Sequence, residues 1–372
     1  MKSNSPIRLA SKDLLLLYLL LQVTMFKRHD CQQRLTIGLG LFIDRSLMSY
    51  IEKNLRLSEA QRDQLLRSYV HQIESNLSSL RSWKVSKIYI RLIEIFYEVS
   101  SGQFSSIPTN QAGNVDRLLD DFCSYQSSLR NKLASKSANE SSDSPIEWDT
   151  SLLLTSQDLY SEEEFLESNS LELSQSTMGI SIPGGIQSVD FSCSIVEFGT
   201  QSPQSQPRAT SSIGLSAWVA THELAHNLGI HHDGPPFNAE CATGCYVMSP
   251  ISLAHTLSAS GGTASCHQWS PCSIESLNQL DLDKFELPQD GDTVIQIGEA
   301  ELPPGRLLDA QMQCRLFNSE YNFSGRLGAE ICHHGLECRS RDGSHRVHIG
   351  PALEGTVCDE ALRLRCIEME CR

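Results

Sequence analysis

The stretch THELAHNLGIHHDG, at residues 221–234, constrains this chain more than any other because it holds four histidines and a glutamate. The residues before it are good helix formers that follow serines able to cap a helix, and Gly229 is a natural stop signal. The pattern therefore predicts a helix that ends near Gly229. On such a helix His222 and His226 are four residues apart, so they share one face and can bind one metal ion.

The other residues of the stretch fit the spacing H-E-x-x-H-x-x-G-x-x-H. A left-handed Gly229 can turn the chain sharply, so we expect His232 to swing back as the third ligand and His231 to stay outside the site. Asp233 is expected to help fix this turn. Glu223 lies about one hundred degrees round the helix from the first ligand, which suits a general base better than a ligand.

Three neutral imidazoles indicate one catalytic zinc ion. They leave a tetrahedral Zn²⁺ one open position for water, whose pKa the ion lowers to about 7, and the ion also polarises a bound peptide carbonyl. Glu223 would take a proton from the attacking water and pass it to the leaving amine. The alternative is an accidental histidine-rich helix, which requires every residue of the spacing to arise by chance. The sequence therefore predicts a zinc-dependent peptide hydrolase.

Thirteen cysteines indicate an oxidised, disulfide-bonded protein, because cytosolic enzymes rarely carry so many. Their spacing lacks the paired C-x-x-C of structural zinc sites. Residues 14–21, LLLLYLLL, follow basic residues and resemble the apolar core of a signal peptide, with a buried helix as the alternative. Sequons at Asn76, Asn139 and Asn322 are compatible with the secretory route. Together these features favour a secreted, extracellular glycoprotein.

The charge balance excludes one class of partner. Forty-five acidic against thirty basic residues give a net charge of -15, and no run of five or more Lys or Arg is present. Neither a nucleic-acid surface nor an anionic-membrane surface is indicated. The apolar run at 14–21 is too short to span a bilayer, so an integral membrane protein is not expected.

Strand and helix patterns alternate along the first half of the chain. Residues 34–43 and 86–99 are rich in β-branched and apolar residues and predict strands, with a helical pattern between them at 58–82. A second amphipathic helix is predicted at 114–133 and a buried strand at 148–156. This alternation favours an α/β domain with a mixed sheet. The predicted surface loops lie at 134–145, 161–173 and 200–212.

Met248, in the segment CYVMSP, follows His232 by sixteen residues and resembles the Met-turn of the metzincins, in which a methionine lies beneath the zinc ligands. The Asp after the third histidine points to the adamalysin (reprolysin) branch. Further segments resemble the ADAMTS family of secreted metalloproteinases, in the family's order: WDTSLLLTSQDL, STMGISIPGG, SCSIVEFG, WSPCS and LPPGRLLDAQMQCRLF. From about residue 35 to its end, the chain resembles an ADAMTS catalytic domain followed by a disintegrin-like domain.

The resemblance implies an α/β metzincin catalytic domain with a mixed, mainly parallel sheet, followed by a small disulfide-rich disintegrin-like domain. The expected parts are a candidate signal peptide and short leader at 1–34, the catalytic domain at 35–290 and the disintegrin-like domain at 300–372. An edge strand would line the cleft so that an extended substrate adds to the sheet by backbone hydrogen bonds. That strand would consist of Thr177, Met178, Gly179 and Ile180.

Zinc is the cofactor that the resemblance implies, and calcium is a further expectation with an incomplete ligand set. The glutamate expected in the first strand is replaced by Gly38. Asp149 is a candidate calcium ligand. The alternative is a solvent-facing carboxylate at the start of a strand.

The resemblance also implies disulfide pairs, and the family cysteines that this chain lacks are missing in whole pairs. The implied pairs are Cys123 with Cys193, Cys314 with Cys338, Cys332 with Cys366, and Cys358 with Cys371. Two further bonds would join Cys241, Cys245, Cys266 and Cys272 in an order that stays open. Cys31 is left over, as a free or intermolecularly bonded thiol or, alternatively, as a propeptide ligand of the zinc.

These expectations combine into a secreted zinc endopeptidase that acts on extracellular proteins or proteoglycans, with its oligomeric state open. The alternative is a catalytically latent adhesion or regulatory module that retains the metalloproteinase fold. The segment SRDGS, at 340–344, contains Arg-Asp-Gly and not the integrin-binding order Arg-Gly-Asp. The intact Glu223 favours the enzyme over the latent module.

Overall fold

A five-stranded sheet organises the first part of the chain. The computed structural model describes residues 33–99, 113–139, 147–160, 177–198, 212–241, 246–249, 267–282, 285 and 303–372. The strands are β1 (Gln33–Asp44), β2 (Val85–Val99), β3 (Thr150–Thr155), β4 (Gly179–Ser181) and β5 (Cys193–Glu197). Their order is β2-β1-β3-β5-β4, and all neighbours run parallel except β4, which is antiparallel to β5. The predicted α/β fold with a mixed, mainly parallel sheet is confirmed.

Helices cover both faces of this sheet. They are α1 (Arg45–Tyr50), α2 (Glu59–Ser78), α3 (Val115–Asn139), α4 (Ile213–Asn227) and α5 (Pro271–Gln279), with a π-helical turn at Ile51–Leu55 after α1. Leu41 of β1 lies in the core that α2 and α4 close, whereas the next residue, Phe42, lies in the core beneath α3. Successive side chains of a strand point to opposite faces, so a strand covered on both sides needs apolar residues throughout. This explains why residues 37–43 of β1, IGLGLFI, include no polar side chain.

The predicted helices are present, with shifted ends. Ser58 caps α2 in a capping box with Gln61, so the helix begins close to the predicted residue, but it ends at Ser78 and not at 82. The interpretation of 134–145 as a surface loop is wrong for residues 134–139, because α3 continues through them. Alanine and lysine in that segment favour helix, which outweighs the serines that suggested a loop. The predicted loops at 161–173 and 200–211 lie outside the described residues.

Residues 303–372 form a cysteine-rich C-terminal part. Its helices are α6 (Pro304–Leu307), α7 (Ala310–Phe317) and α8 (Glu330–His333). Its strands are β6 (Tyr321–Phe323), β7 (Glu337–Ser340), β8 (Arg346–His348), β9 (Val357–Asp359), β10 (Leu364–Ile367) and β11 (Glu370–Cys371). The strands form two antiparallel three-stranded sheets, β6-β7-β8 and β11-β10-β9. Buried cysteines supply much of the core between them.

The disulfide bonds include the four pairs that the resemblance implied. One bond, Cys123–Cys193, ties α3 to β5. The C-terminal part contains Cys314–Cys338, Cys332–Cys366 and Cys358–Cys371. Among the four cysteines whose order was open, Cys241 is bonded to Cys272. Cys31, Cys245 and Cys266 lie outside the described residues.

The C-terminal part packs directly on the first part. Leu308 and Leu353, which are 5% and 1% exposed, belong to the same core as α2 and α4. The hydroxyl of Tyr50 donates to the carbonyl of Leu316 at 2.9 Å. At the other end of the chain, β1 begins at Gln33, two residues inside the predicted leader. Because the two parts share a core and β1 begins inside the predicted leader, the boundaries of the predicted domains stay a proposal.

None of the described helices is long and apolar enough to cross a membrane. The candidate signal segment at 14–21 lies outside the described residues.

Candidate zinc site

The helix α4 carries the first two histidines on one face. Ser212 caps it by accepting a hydrogen bond from the backbone N–H of Leu215, and the chain leaves the helix through Gly229, whose φ is 101°. A φ in this range is the left-handed conformation that favours glycine. The rings of His222 and His226 have their centroids 4.6 Å apart.

The turn after Gly229 brings the third histidine back to the helix. The ring centroids of His232 lie 4.5 Å from His226 and 5.1 Å from His222. One nitrogen from each of the three rings lies within 4.8 Å of the others, and the Nε2 atoms of His222 and His232 are 3.1 Å apart. The structure thus brings together the three residues that the spacing singled out.

Backbone carbonyls orient the two helical rings. Nδ1 of His222 lies 2.6 Å from the carbonyl oxygen of Val247, and Nδ1 of His226 lies 2.7 Å from that of Ile230. A carbonyl only accepts, so each Nδ1 carries the proton and each Nε2 keeps a free lone pair that faces the centre of the cluster. Ligand histidines of metal sites typically make this kind of outer contact. No residue type or spacing indicates these contacts, because they involve main-chain atoms.

Burial keeps the three rings neutral. It lowers the pKa of His222 to about 4, lowers that of His226 well below its usual value, and lowers that of His232. Only the neutral imidazole binds a metal. Three neutral rings, two of them with a fixed tautomer, are a donor set that fits Zn²⁺ with one position left for water or substrate.

Glu223 lies on the neighbouring face of α4 and is only 6% exposed. Burial raises the pKa of its carboxyl to about 8. Gly179 of β4 packs against it so closely that a β-carbon at position 179 would lie 2.9 Å from Oε1 of Glu223. The carboxyl group therefore occupies the space between the helix and the edge of the sheet.

The Met-turn residue lies within this framework. Met248 is fully buried, and its carbonyl accepts a hydrogen bond from the backbone N–H of Asp233 at 2.8 Å. The buried carboxylate of Asp233 accepts from the hydroxyl of Ser270, the N-cap of α5. Asp233 therefore connects the third-histidine segment with the Met-turn and with α5, in keeping with its expected structural role.

His231 points away from the cluster. Its ring stacks on Phe237 at 4.2 Å and lines a cavity of about 540 Å³ with residues of α5. Asn238, which sequence reasoning missed, donates from its side-chain amide to the carbonyl of His232 at 2.9 Å. It fixes the backbone of the third histidine segment.

The edge strand lies two residues later than predicted. β4 spans Gly179–Ser181, so Gly179 and Ile180 belong to it, whereas Thr177 and Met178 precede it. The carbonyl of Met178 accepts from the N–H of Glu197, which extends the contact with β5. β4 pairs with β5 on one side and ends the order of the described strands on the other. Its outer edge is where an extended chain could be added.

Two further predictions concern residues outside the zinc site. The carboxylate of Asp149 accepts a hydrogen bond from the backbone N–H of Gly38 at 2.5 Å. Gly38 is the residue that stands where a glutamate was expected. Calcium binding stays a prediction. Asn76 is 4% exposed and its amide is hydrogen-bonded inside the protein, so this sequon is not accessible in the folded chain.

Comparison with known proteins gives two consistent findings. Residues 109–284 match the reprolysin (M12B) family of zinc metalloproteases. The chain is 26% identical over 339 residues to "A disintegrin and metalloproteinase with thrombospondin motifs adt-1" of Caenorhabditis elegans, covering 87% of this chain and 20% of that protein. It is 28% identical over 268 residues to "A disintegrin and metalloproteinase with thrombospondin motifs 7" of Homo sapiens, covering 69% of this chain and 13% of that protein.

A third relative is "A disintegrin and metalloproteinase with thrombospondin motifs 18" of Mus musculus. The identity is 29% over 274 residues, covering 69% of this chain and 18% of that protein. The chain thus spans a fifth or less of the length of these three curated relatives. The family match at residues 109–284 includes the whole segment that carries the histidines.

Proposed function

We propose that this chain, which is similar to the reprolysin metalloproteases and to the ADAMTS proteins as the sequence predicted, is a secreted zinc endopeptidase that hydrolyses peptide bonds of extracellular proteins. A zinc metalloproteinase of this kind is what the family relationship supports directly. Secretion, the substrates and the assignment of each site residue belong to the proposal. So do the expected signal and leader at 1–34, the catalytic domain at 35–290 and the disintegrin-like domain at 300–372.

The convergence of the three histidine rings carries the proposal. His222, His226 and His232 would hold the zinc through Nε2 atoms whose opposite nitrogens, in the two helical residues, are bonded to carbonyls. Bound zinc would acidify a water molecule and polarise the scissile carbonyl. Met248 would support the ligands from below without binding the ion.

Glu223 is the proposed general base. It would accept a proton from the attacking water and deliver that proton to the leaving nitrogen, which needs a carboxyl group whose pKa is close to the working pH. Burial moves the pKa of Glu223 in that direction. The nearby charge of a bound cation would move it back and keep the group ionised before the reaction.

The substrate would lie along the outer edge of β4. An extended peptide can form backbone hydrogen bonds with Gly179 and its neighbours, while its scissile bond lies over Glu223. Proteins or proteoglycans of the extracellular matrix are the substrate class that the family relationship suggests. Calcium binding at Asp149 remains a subsidiary proposal.

The test is peptide cleavage by the full chain, secreted from cultured cells, with zinc content measured on the same samples. We expect Glu223→Gln to lower kcat by about 10²- to 10⁴-fold while zinc stays bound. Glu59→Gln, an exposed glutamate at the start of α2, is the matched control and should behave as wild type. Zinc without cleavage in any sample would favour the latent adhesion or regulatory module, and folded protein without zinc would contradict the zinc endopeptidase.

A further inference from the structure

A row of hydrogen bonds connects the C-terminal part to α4 through α2. The N–H of Glu354 donates to Oε1 of Gln72 at 2.7 Å, and Nε2 of Gln72 donates to Oδ1 of Asn76 at 2.9 Å. Nδ2 of Asn76 donates to Oγ1 of Thr221 at 3.2 Å, and that hydroxyl donates to the carbonyl of Ala217 at 2.7 Å. The row therefore enters α4 at Thr221, which directly precedes the first proposed zinc ligand.

Each group in the row has one donor and one acceptor role. The two amides accept on the side of the C-terminal part and donate on the side of α4, while the hydroxyl of Thr221 uses its proton within its own helix. Gln72, Asn76 and Thr221 are 7%, 4% and 0% exposed. Buried amides are costly unless they are satisfied, so this row favours a single arrangement of the three elements.

Other polar contacts of α2 lead elsewhere. The hydroxyl of Tyr69 contacts that of Ser216 at 2.9 Å, and Ser216 donates to the carbonyl of Glu197 on β5. The hydroxyl of Ser78 donates to the carbonyl of Ile88 on β2 at 2.7 Å. The Tyr69 contact joins α2 to α4 outside the row, and the Ser78 contact joins α2 to β2, so both offer controls that lie on the same helix as the row.

We propose that Asn76 is a positioning residue for the zinc site. Through Thr221 it holds the turn of α4 that presents His222 and Glu223, and through Gln72 it makes that placement depend on how the C-terminal part is seated. Asn76 is not one of the proposed zinc ligands and acts only through this row. The inference rests on the proposed zinc endopeptidase function.

The test uses the full chain and variants that interrupt the row at its α4 end. Thr221→Val removes the hydroxyl with little change of shape, Asn76→Ala removes the amide, and Thr221→Ser restores the hydroxyl. The measurements are zinc affinity by competition with a chelator, the visible absorption of the cobalt-substituted protein, and kcat and KM on a peptide. We expect Thr221→Val and Asn76→Ala to lower zinc affinity and kcat by roughly tenfold, as loss of outer contacts does elsewhere, to alter the cobalt spectrum and to leave KM within about twofold.

The controls separate positioning from simple stability. Thr221→Ser should restore all three readouts, and Tyr69→Phe should keep them within about twofold per folded molecule. As a single substitution, Gln72→Met should lower zinc affinity. In a chain that already carries Thr221→Val it should cause no further loss of zinc affinity, because the row is already broken. Fully additive effects would overturn the dependence on the C-terminal part.

The outcomes distinguish this inference from the proposed function. If the wild type binds zinc and cleaves peptide while folded Thr221→Val keeps its affinity, spectrum and kcat, the positioning role is overturned and the function stands. An equal loss in Tyr69→Phe would also overturn it, since that variant leaves the row intact. If Asn76→Ala does not fold, Thr221→Val decides alone. A wild type without zinc would overturn the proposed function, and this inference with it.

Discussion

Replacing Gly179 by alanine tests the proposed role of Glu223 without touching either the glutamate or the histidines. A β-carbon at position 179 would lie 2.8 Å from Cγ of Glu223, 2.9 Å from its Oε1 and 2.9 Å from Cγ1 of Val219. Non-bonded carbon atoms normally approach to about 3.5 Å, so the new methyl needs a shift of roughly 0.7 Å. Val219 and Glu223 both lie in α4, but a β-branched valine has one strongly preferred rotamer in a helix, so the longer glutamate side chain is the part that can rotate away.

The expected loss follows from this displacement. Because a misplacement of about 1 Å can cost about 10²-fold, we expect Gly179→Ala to lower kcat by about 10- to 100-fold, or about 1.4 to 2.7 kcal/mol in the barrier. Zinc content should not change, because Glu223 is not a proposed ligand. The assay is steady-state peptide cleavage with metal analysis of the same samples.

Gly38→Ala is the matched control, since it makes the same change in β1, where the nearest atom to the new methyl is Oδ2 of Asp149 at 3.1 Å. Its kcat per folded molecule should equal that of the wild type. A zinc-loaded Gly179→Ala protein with kcat within about twofold of the wild type would refute the placement of the base beneath the edge strand.

Three further predictions concern the rest of the molecule. The double substitution Cys123→Ser and Cys193→Ser removes a bond between residues 70 apart and should lower the free energy of unfolding by about 4 kcal/mol in chemical denaturation. Burial raises the pKa of Glu354 to about 7, above its unfolded value, so its contribution to stability is complete below about pH 4.5 and is lost as the pH rises through 7. The free energy of unfolding of the wild type, measured by chemical denaturation, should therefore fall by up to roughly 3 kcal/mol relative to that of Glu354→Gln between pH 4.5 and 8. A difference between the two proteins that does not change with pH would contradict this. Peptide mapping of secreted protein should find Asn76 without a glycan, since the folded chain buries its amide, whereas a glycan at Asn76 would argue against this packing.

Much of the catalytic centre could be predicted because its chemistry needs fixed residue types at fixed spacing. Helical periodicity places His222 and His226 on one face, and the conformational freedom of Gly229 allows His232 to return to them. The β-branched and apolar composition of residues 34–43 likewise predicted a strand. Local rules were sufficient for these elements.

Contacts between distant segments could not be predicted in this way. Asn76 and Thr221 are 145 residues apart, and neither residue type nor local spacing indicates that they form a hydrogen bond. The same holds for Gly179 against Glu223, where close packing of backbone on a side chain selects glycine. The C-terminal end of α3 shows a different failure, because helix propensity continued beyond the point where serine-rich composition suggested a loop.

The core that the first part and the C-terminal part share at Leu308 and Leu353 determines how the protein unfolds. Their side chains complete the apolar layer beneath α2 and α4, so removing the C-terminal part would expose this layer to water. Both parts should therefore melt in one cooperative calorimetric transition, with matching calorimetric and van't Hoff enthalpies. A proteolytic nick in the connection would not release an autonomous fragment, since each product would present an adhesive apolar face and tend to aggregate.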